Sequence, residues 1–197
     1  MNEISLHIKN FLQIQNECVN KIQENTHEID EIIKMIISAR KNRKTIFTMG
    51  NGGSGSTASH FVSDLQKTVI VKNENRIKAI SLVDNIPVIL AWSNDVSFDK
   101  IFEEQLKNQV EKNDIVIAFS GSGKSKNIIN ALKIAKKMGA KCIGFTGKTG
   151  GSFNAICDIT FKVPSNDMLT IESQHVTICH CIASTIRSLG KPMFEYD

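Results

Sequence analysis

His60 and Asp64 stand four residues apart in the stretch GNGGSGSTASHFVSD, residues 50–64. On a helix that spacing brings an imidazole and a carboxylate onto one face. Such a pair forms either a hydrogen bond along the helix surface or half of a Zn²⁺ site, because zinc accepts His nitrogen and carboxylate oxygen at ~2.0–2.2 Å. Glu172 and His180 offer a second carboxylate and a second imidazole. On one continuous helix they would lie ~12 Å apart along the axis. Sharing an ion would then need Glu172 at a frayed helix start, or the two residues coming from different subunits. His175 beside them reads as structural or substrate-facing. Cys179-His180-Cys181 could also be imagined as a metal site, but adjacent helical residues point ~100° apart.

A second chemistry is anion binding. Three segments rich in small, hydroxylic or flexible residues each follow a β-prone run: Gly50-Asn51-Gly52-Gly53-Ser54, Ser120-Gly121-Ser122-Gly123-Lys124-Ser125 and Gly147-Lys148-Thr149-Gly150-Gly151. Glycines let backbone N–H groups approach an anion, and a following helix N-terminus adds its dipole. Residues 120–125 lack the P-loop spacing. Gly50, Gly52 and Gly55 match Gly-x-Gly-x-x-Gly, but the next strand ends near Asp84, later than a dinucleotide site expects its acidic residue. Ser120, Ser122 and Ser125 at a strand–helix junction suit a phosphate monoester instead; an ordinary capped turn is the plainer reading.

The elements that must position these groups alternate. Strands are expected at 45–49, 79–82, 115–119, 142–146 and 159–163. Helices are expected at 56–66, 86–92, 99–111, 125–138 and 169–189. This order predicts an α/β fold, a parallel sheet with helices on both faces. Ligands then bind at the carboxyl ends of the strands. Before the sheet, residues 3–42 show apolar positions at a 3.6-residue period, broken near Glu24-Asn25-Thr26, which predicts two amphipathic helices. Nothing catalytic shows there. The whole chain, 1–197, reads as one domain, with residues 1–44 packing on it and on neighbouring subunits.

The chain is 41% apolar and 22% charged with net charge +4, ordinary for a soluble globular protein. No Lys/Arg stripe with interleaved aromatics points to nucleic acid. No apolar run approaches the ~20 residues of a membrane span, and the start, MNEISLHIKNF, lacks the form of a signal peptide. The five cysteines read as reduced, mostly buried thiols. A cytoplasmic protein is expected.

Together, Gly50–Ser54, His60, Trp92-Ser93-Asn94-Asp95, Ser120–Ser125, Thr146–Lys148 and Val163-Pro164-Ser165 leading to His180 resemble the sugar isomerase (SIS) family, and within it the phosphoheptose isomerases. The resemblance covers nearly the whole chain. It implies an SIS-type five-stranded sheet and isomerisation of sedoheptulose 7-phosphate to D-glycero-D-manno-heptose 7-phosphate, a heptose precursor for cell-surface polysaccharide (lipopolysaccharide). It implies a homotetramer with one zinc per active site. Asn51, Gly52, Gly53, Asn94, Asp95, Ser120, Gly121, Ser122, Ser125 and Glu172 would contact the sugar phosphate. His60, Asp64, Glu172 and His180 would hold the metal, and Asp64, Glu172 and His180 would carry the proton transfers.

The resemblance is broken at three positions. Asp64 stands where the family has a glutamate that is both base and ligand, Glu172 where it has a glutamine, and Thr170 where it has an arginine. The first two changes look like a trade of function between sites. They also suit a non-catalytic SIS protein that binds a sugar phosphate or a protein such as the replication initiator DnaA. The lyase and aminotransferase branches of the SIS fold fit less well, because the chain is a single short domain.

Overall fold

The computed structural model describes residues 2–194, so the outermost positions of the expected 1–197 domain lie outside it. The strands are β1 (Thr45–Gly50), β2 (Lys78–Ser81), β3 (Ile115–Phe119), β4 (Lys141–Thr146) and β5 (Ile159–Lys162). The helices are α1 (Glu3–Gln23), α2 (His27–Lys41), α3 (Gly52–Ser63), α4 (Ile86–Asp95), α5 (Glu103–Gln109), α6 (Lys126–Lys137), α7 (Phe153–Ile156) and α8 (Met168–Ser188). All strand pairs are parallel, in the order β2-β1-β3-β4-β5.

The run Ile-Val-Ile-Ala-Phe in β3 is apolar throughout because both faces of the sheet are covered. Side chains alternate between faces. Ile115, Ile117 and Phe119 join a core with Ile32 and Ile36 of α2, Phe61 of α3 and Ile178 and Ile182 of α8. Val116 and Ala118 join the opposite core, with Leu106 of α5, Ile128 and Leu132 of α6 and Phe153 of α7.

The strands lie within one residue of their expected ends; the helices differ more. α3 begins at Gly52, four residues before the expected start, with Asn51 as its N-cap. Small residues there let the helix lie close on the end of β1: a side chain at Gly50 would overlap the Ser54 carbonyl. Past Ser63 the chain continues as one π-turn, Asp64–Thr68, closed by a Val69 N–H bond to the Asp64 carbonyl at 3.1 Å. The expected helix at 99–111 is split into a 3₁₀ turn, Phe98–Lys100, and α5, because the chain between them turns inward to bury Ile101 and Phe102. α7 has no counterpart in the expected elements.

α1 buries only Cys18 and Ile22, while Ile4, Ile8 and Leu12 are each more than half exposed. Gln15 ties it to α8, donating to Thr170 Oγ1 and accepting from Gln174, both at 2.9 Å. Cys181, expected among the buried thiols, is exposed, because the helix turn that buries Cys179 points its second neighbour outward. Among the described residues, no helix is long and apolar enough to cross a membrane.

Candidate active site

The strand order reverses direction between β1 and β3: from β1 the chain runs outward to β2, and from β3 it runs the other way to β4. The crevice at that switch point is where open α/β sheets hold ligands. α3 leaves β1 on one face of the sheet and α6 leaves β3 on the other, so their N-termini flank it.

The Ser120–Ser125 loop is folded on itself. Ser120 Oγ accepts from the Gly123 N–H at 3.2 Å and lies 3.4 Å from Ser125 Oγ. Ser122 Oγ accepts from the Lys124 N–H at 3.2 Å. Ser125 is the N-cap of α6, yet its side chain makes no capping bond to its own helix. Gly123 has φ +61°, a left-handed conformation that costs glycine nothing. The loop after β4 braces this one: the N–H groups of Gly147 and Ser152 donate to the carbonyls of Gly121 and Gly123, both at 2.9 Å.

Beside the crevice, α3 packs on α8 and brings His60, Asp64 and His180 together. His60 Nε2 lies 2.7 Å from His180 Nε2, and Asp64 Oδ2 lies 3.5 and 3.7 Å from these two nitrogens. Asp64 is buried; its Oδ1 accepts from Thr68 Oγ1 at 3.0 Å, and its Oδ2 has no hydrogen-bond partner. A buried, unpartnered carboxylate oxygen is costly unless something positive meets it. The donor set fits zinc: two imidazoles and a carboxylate leave a fourth position open, as catalytic zinc sites do. In a tetrahedral site with ligands at ~2.0–2.1 Å, ligand atoms stand about 3.3 Å apart, and the three observed separations straddle that value. The π-turn supplies Thr68, which orients the carboxylate as an outer partner.

Glu172, expected as a fourth ligand, is not part of this cluster. It lies in the second turn of α8, about two turns and ~12 Å along the axis before His180. Its carboxylate rests instead against the backbone of Gly53 in the first turn of α3, where any side chain at Gly53 would overlap it. Glu172, His60 and His180 line one cleft of ≈560 Å³ with Gly53, Ser56 and Thr57. Asn94 and Asp95 close α4, hydrogen-bond to each other at 2.8 Å and do not line that cleft. Thr170 is buried, and its N–H donates to the Asp167 carboxylate at 2.8 Å, which caps α8.

His175 is structural. It is fully buried, with its ring against Phe119 and Phe145 and its Nε2 3.4 Å from the Thr146 carbonyl. Burial pulls its pKa down to about 4, against the smaller opposing effect of that carbonyl. The Cys179-His180-Cys181 reading falls away: Cys179 is fully buried on the far side from exposed Cys181. Burial first, and then the Asp64 charge, hold the Cys179 thiol well above its ordinary pKa.

Two polar side chains that bond to residues of the candidate site, Thr68 to Asp64 and Asn127 to Asn51, were not singled out from sequence. Asn127 sits in the first turn of α6 on the same buried stripe as Ile128, Ala131, Leu132 and Ala135. A polar residue on an apolar stripe was the available signal.

The chain matches the SIS domain over residues 10–147. It is 37% identical to a phosphoheptose isomerase of Aliarcobacter butzleri over 91% of this chain and 94% of that one. It is 34% identical to one of Campylobacter concisus over 94% and 93%. Its fold superposes on a phosphoheptose isomerase structure from Francisella tularensis with a TM-score of 0.88 at 27% identity, covering 95% of this chain and all of that one. The arrangement of cleft, loops and parallel sheet and these likenesses agree: the chain belongs to the SIS domain family, among the phosphoheptose isomerases.

Proposed function

We propose that this protein is a phosphosugar isomerase that converts sedoheptulose 7-phosphate to D-glycero-D-manno-heptose 7-phosphate. The observation that carries the reading is the cleft between α3 and α8, where the Glu172 carboxylate and the His60–His180 pair face the same space. Family membership supplies the substrate class.

Aldose–ketose isomerisation takes a proton from C1 of the ketose and returns one to C2, while O2 gains a proton and O1 loses one. Glu172, half-buried and open to the cleft, is placed to take the carbon-bound proton and return it. His180 exchanges protons with the two oxygens. Asp64 is held away from solvent, with one oxygen tied to Thr68, a posture that suits a ligand better than a base. His60, Asp64 and His180 would hold Zn²⁺, which supplies a Lewis acid for the sugar oxygens. Asn51, Gly52, Gly53 and the Ser120–Ser125 loop take the phosphate and the sugar chain. Asn94 and Asp95 serve it from α4.

The working unit is a homotetramer in the cytoplasm, supplying a heptose precursor for lipopolysaccharide. The assembly is supported by the apolar stripe Ile4, Ile8 and Leu12 of α1, which a single chain leaves uncovered. Incubation of the protein with sedoheptulose 7-phosphate in heavy water tests the activity. An aldose product carrying deuterium at C2 is expected. No exchange and no aldose, with zinc supplied, would overturn it.

A further inference from the structure

Asn51 and Asn127 join side-chain amides across the switch-point crevice, 76 residues apart in sequence. Asn51 Nδ2 donates to Asn127 Oδ1 at 3.0 Å, and Asn127 Nδ2 donates back to Asn51 Oδ1 at 2.8 Å. Asn127 Oδ1 also accepts from the Ile128 N–H at 2.9 Å. Asn127 is 2% exposed, so these bonds satisfy an amide that has no water to fall back on.

The pair changes what happens at two helix starts. Asn51 is the N-cap of α3, and Ser125 is the N-cap of α6. Both are residue types that ordinarily accept from their own helix's first turn. Neither side chain does so here. The Asn51 amide is held by Asn127 instead, and the free N–H groups of the α3 first turn are left without a side-chain cap. α6 starts the same way, with its Ser125 hydroxyl toward Ser120. Two helices whose N-cap side chains do not cap them therefore flank one crevice, joined by a single amide pair, with Asn127 itself taking the Ile128 N–H of α6.

We infer that Asn127 is a positioning residue for phosphate binding: through Asn51 it sets the spacing of the α3 and α6 N-termini and holds the Asn51 side chain off the first-turn N–H groups of α3, which stay available to the substrate's phosphate. It touches no substrate itself. The inference rests on the phosphosugar reading above for its ligand, a phosphate monoester, and adds a residue that reading does not include.

Asn127→Asp separates positioning from plain structure. A carboxylate in the first turn of α6 is favoured by the helix dipole and still accepts from Asn51 Nδ2 and the Ile128 N–H. It also brings negative charge to the place where the phosphate belongs. The expected result is a melting temperature within a few degrees of wild type, with inorganic phosphate affinity, by calorimetry, reduced at least tenfold. KM for the heptulose phosphate should rise by a similar factor with kcat within about threefold. Asn127→Ala, which removes the pair without adding charge, should show the same split in weaker form, and it decides the matter should the aspartate variant not fold. Phosphate affinity unchanged in both variants overturns the inference. So does a loss of kcat that simply follows loss of stability, or a wild-type protein that binds no phosphate. Phosphate binding by wild type without heptulose phosphate turnover overturns the proposed function and leaves this inference standing.

Discussion

His60 Nε2 and His180 Nε2 meet at 2.7 Å across 120 residues of chain, with the unpartnered Oδ2 of Asp64 facing both. Two imidazole nitrogens at that distance can share only one proton, and the carboxylate oxygen that faces them accepts from no other partner. A divalent cation would resolve all three demands. Zinc at ~100 times its dissociation constant should therefore stabilise the fold by ~2.7 kcal/mol, a rise of roughly 5–10 °C in melting temperature. His60→Ala and His180→Ala should each remove most of that rise. An equal zinc response in wild type and both variants places the ion elsewhere.

The two carboxylates should respond differently to loss of charge. Glu172→Gln removes the proposed base and should lower turnover by roughly 10²-fold or more, with zinc content unchanged. Asp64→Asn removes a ligand and should lose metal first, with activity partly recovered in excess zinc. Full turnover in Glu172→Gln, together with an Asp64→Asn protein that zinc cannot rescue, would show that the base is Asp64.

Replacing Ser120, Ser122 and Ser125 together by Ala tests the loop after β3. Hydrogen bonds to a charged group contribute ~1.5–3 kcal/mol each in favourable cases. Sugar phosphate affinity should fall by several orders of magnitude, while the far-ultraviolet circular dichroism stays that of wild type. Retained affinity moves the phosphate to another loop.

The inner strands β1, β3 and β4 were legible because they are buried on both faces, which makes each apolar run continuous; the edge strands β2 and β5 are partly exposed and show shorter runs. The His60–Asp64 pair was legible because it lies within one helical turn. What sequence could not show is what depends on distance in space. Nothing near Asn127 names Asn51 as its partner. The helix-axis argument could not say that α3 would bring Gly53 to Glu172 and His60 to His180. The π-turn at Asp64–Thr68 was hidden as well: no proline or glycine marks it, and the Leu65 it buries suits an ordinary helix equally. The split at Ile101-Phe102 escaped for a related reason, since two apolar neighbours also suit a buried helix face.

Acid should unfold the protein through His175. In the native state its pKa is about 4, well below the ordinary 6.5. Between those values the unfolded chain binds the proton and the folded one does not, so stability is complete above pH ~6.5 and falls as pH drops toward 4. The loss over that window is on the order of 3 kcal/mol. Unfolding free energies from urea titrations with chelator at pH 7 and pH 4.5 should differ by ~2.7 kcal/mol from this group in wild type and by much less in His175→Gln. Equal pH slopes in the two proteins would assign the acid sensitivity to another group.

Light scattering at micromolar concentration should return the mass of four chains. Ile8→Glu with Leu12→Glu places charge on the exposed stripe of α1 and should shift the mass downward without unfolding the sheet. A monomer mass for wild type would remove the tetramer.

α8 comes later in the chain than every element it covers. It shields Phe61, Phe119 and Phe145 on one face of the sheet, and it carries both Glu172 and His180. During synthesis from the N-terminus the earlier strands and helices emerge first, so α2 and α3 can pack on this face while the part that α8 covers waits bare until α8 arrives. Closure of the core and completion of the catalytic cleft are thus one event in time. A nascent chain passes from sticky and inert to covered and competent without an active intermediate, and its demand for chaperone protection ends with the residues that give it chemistry.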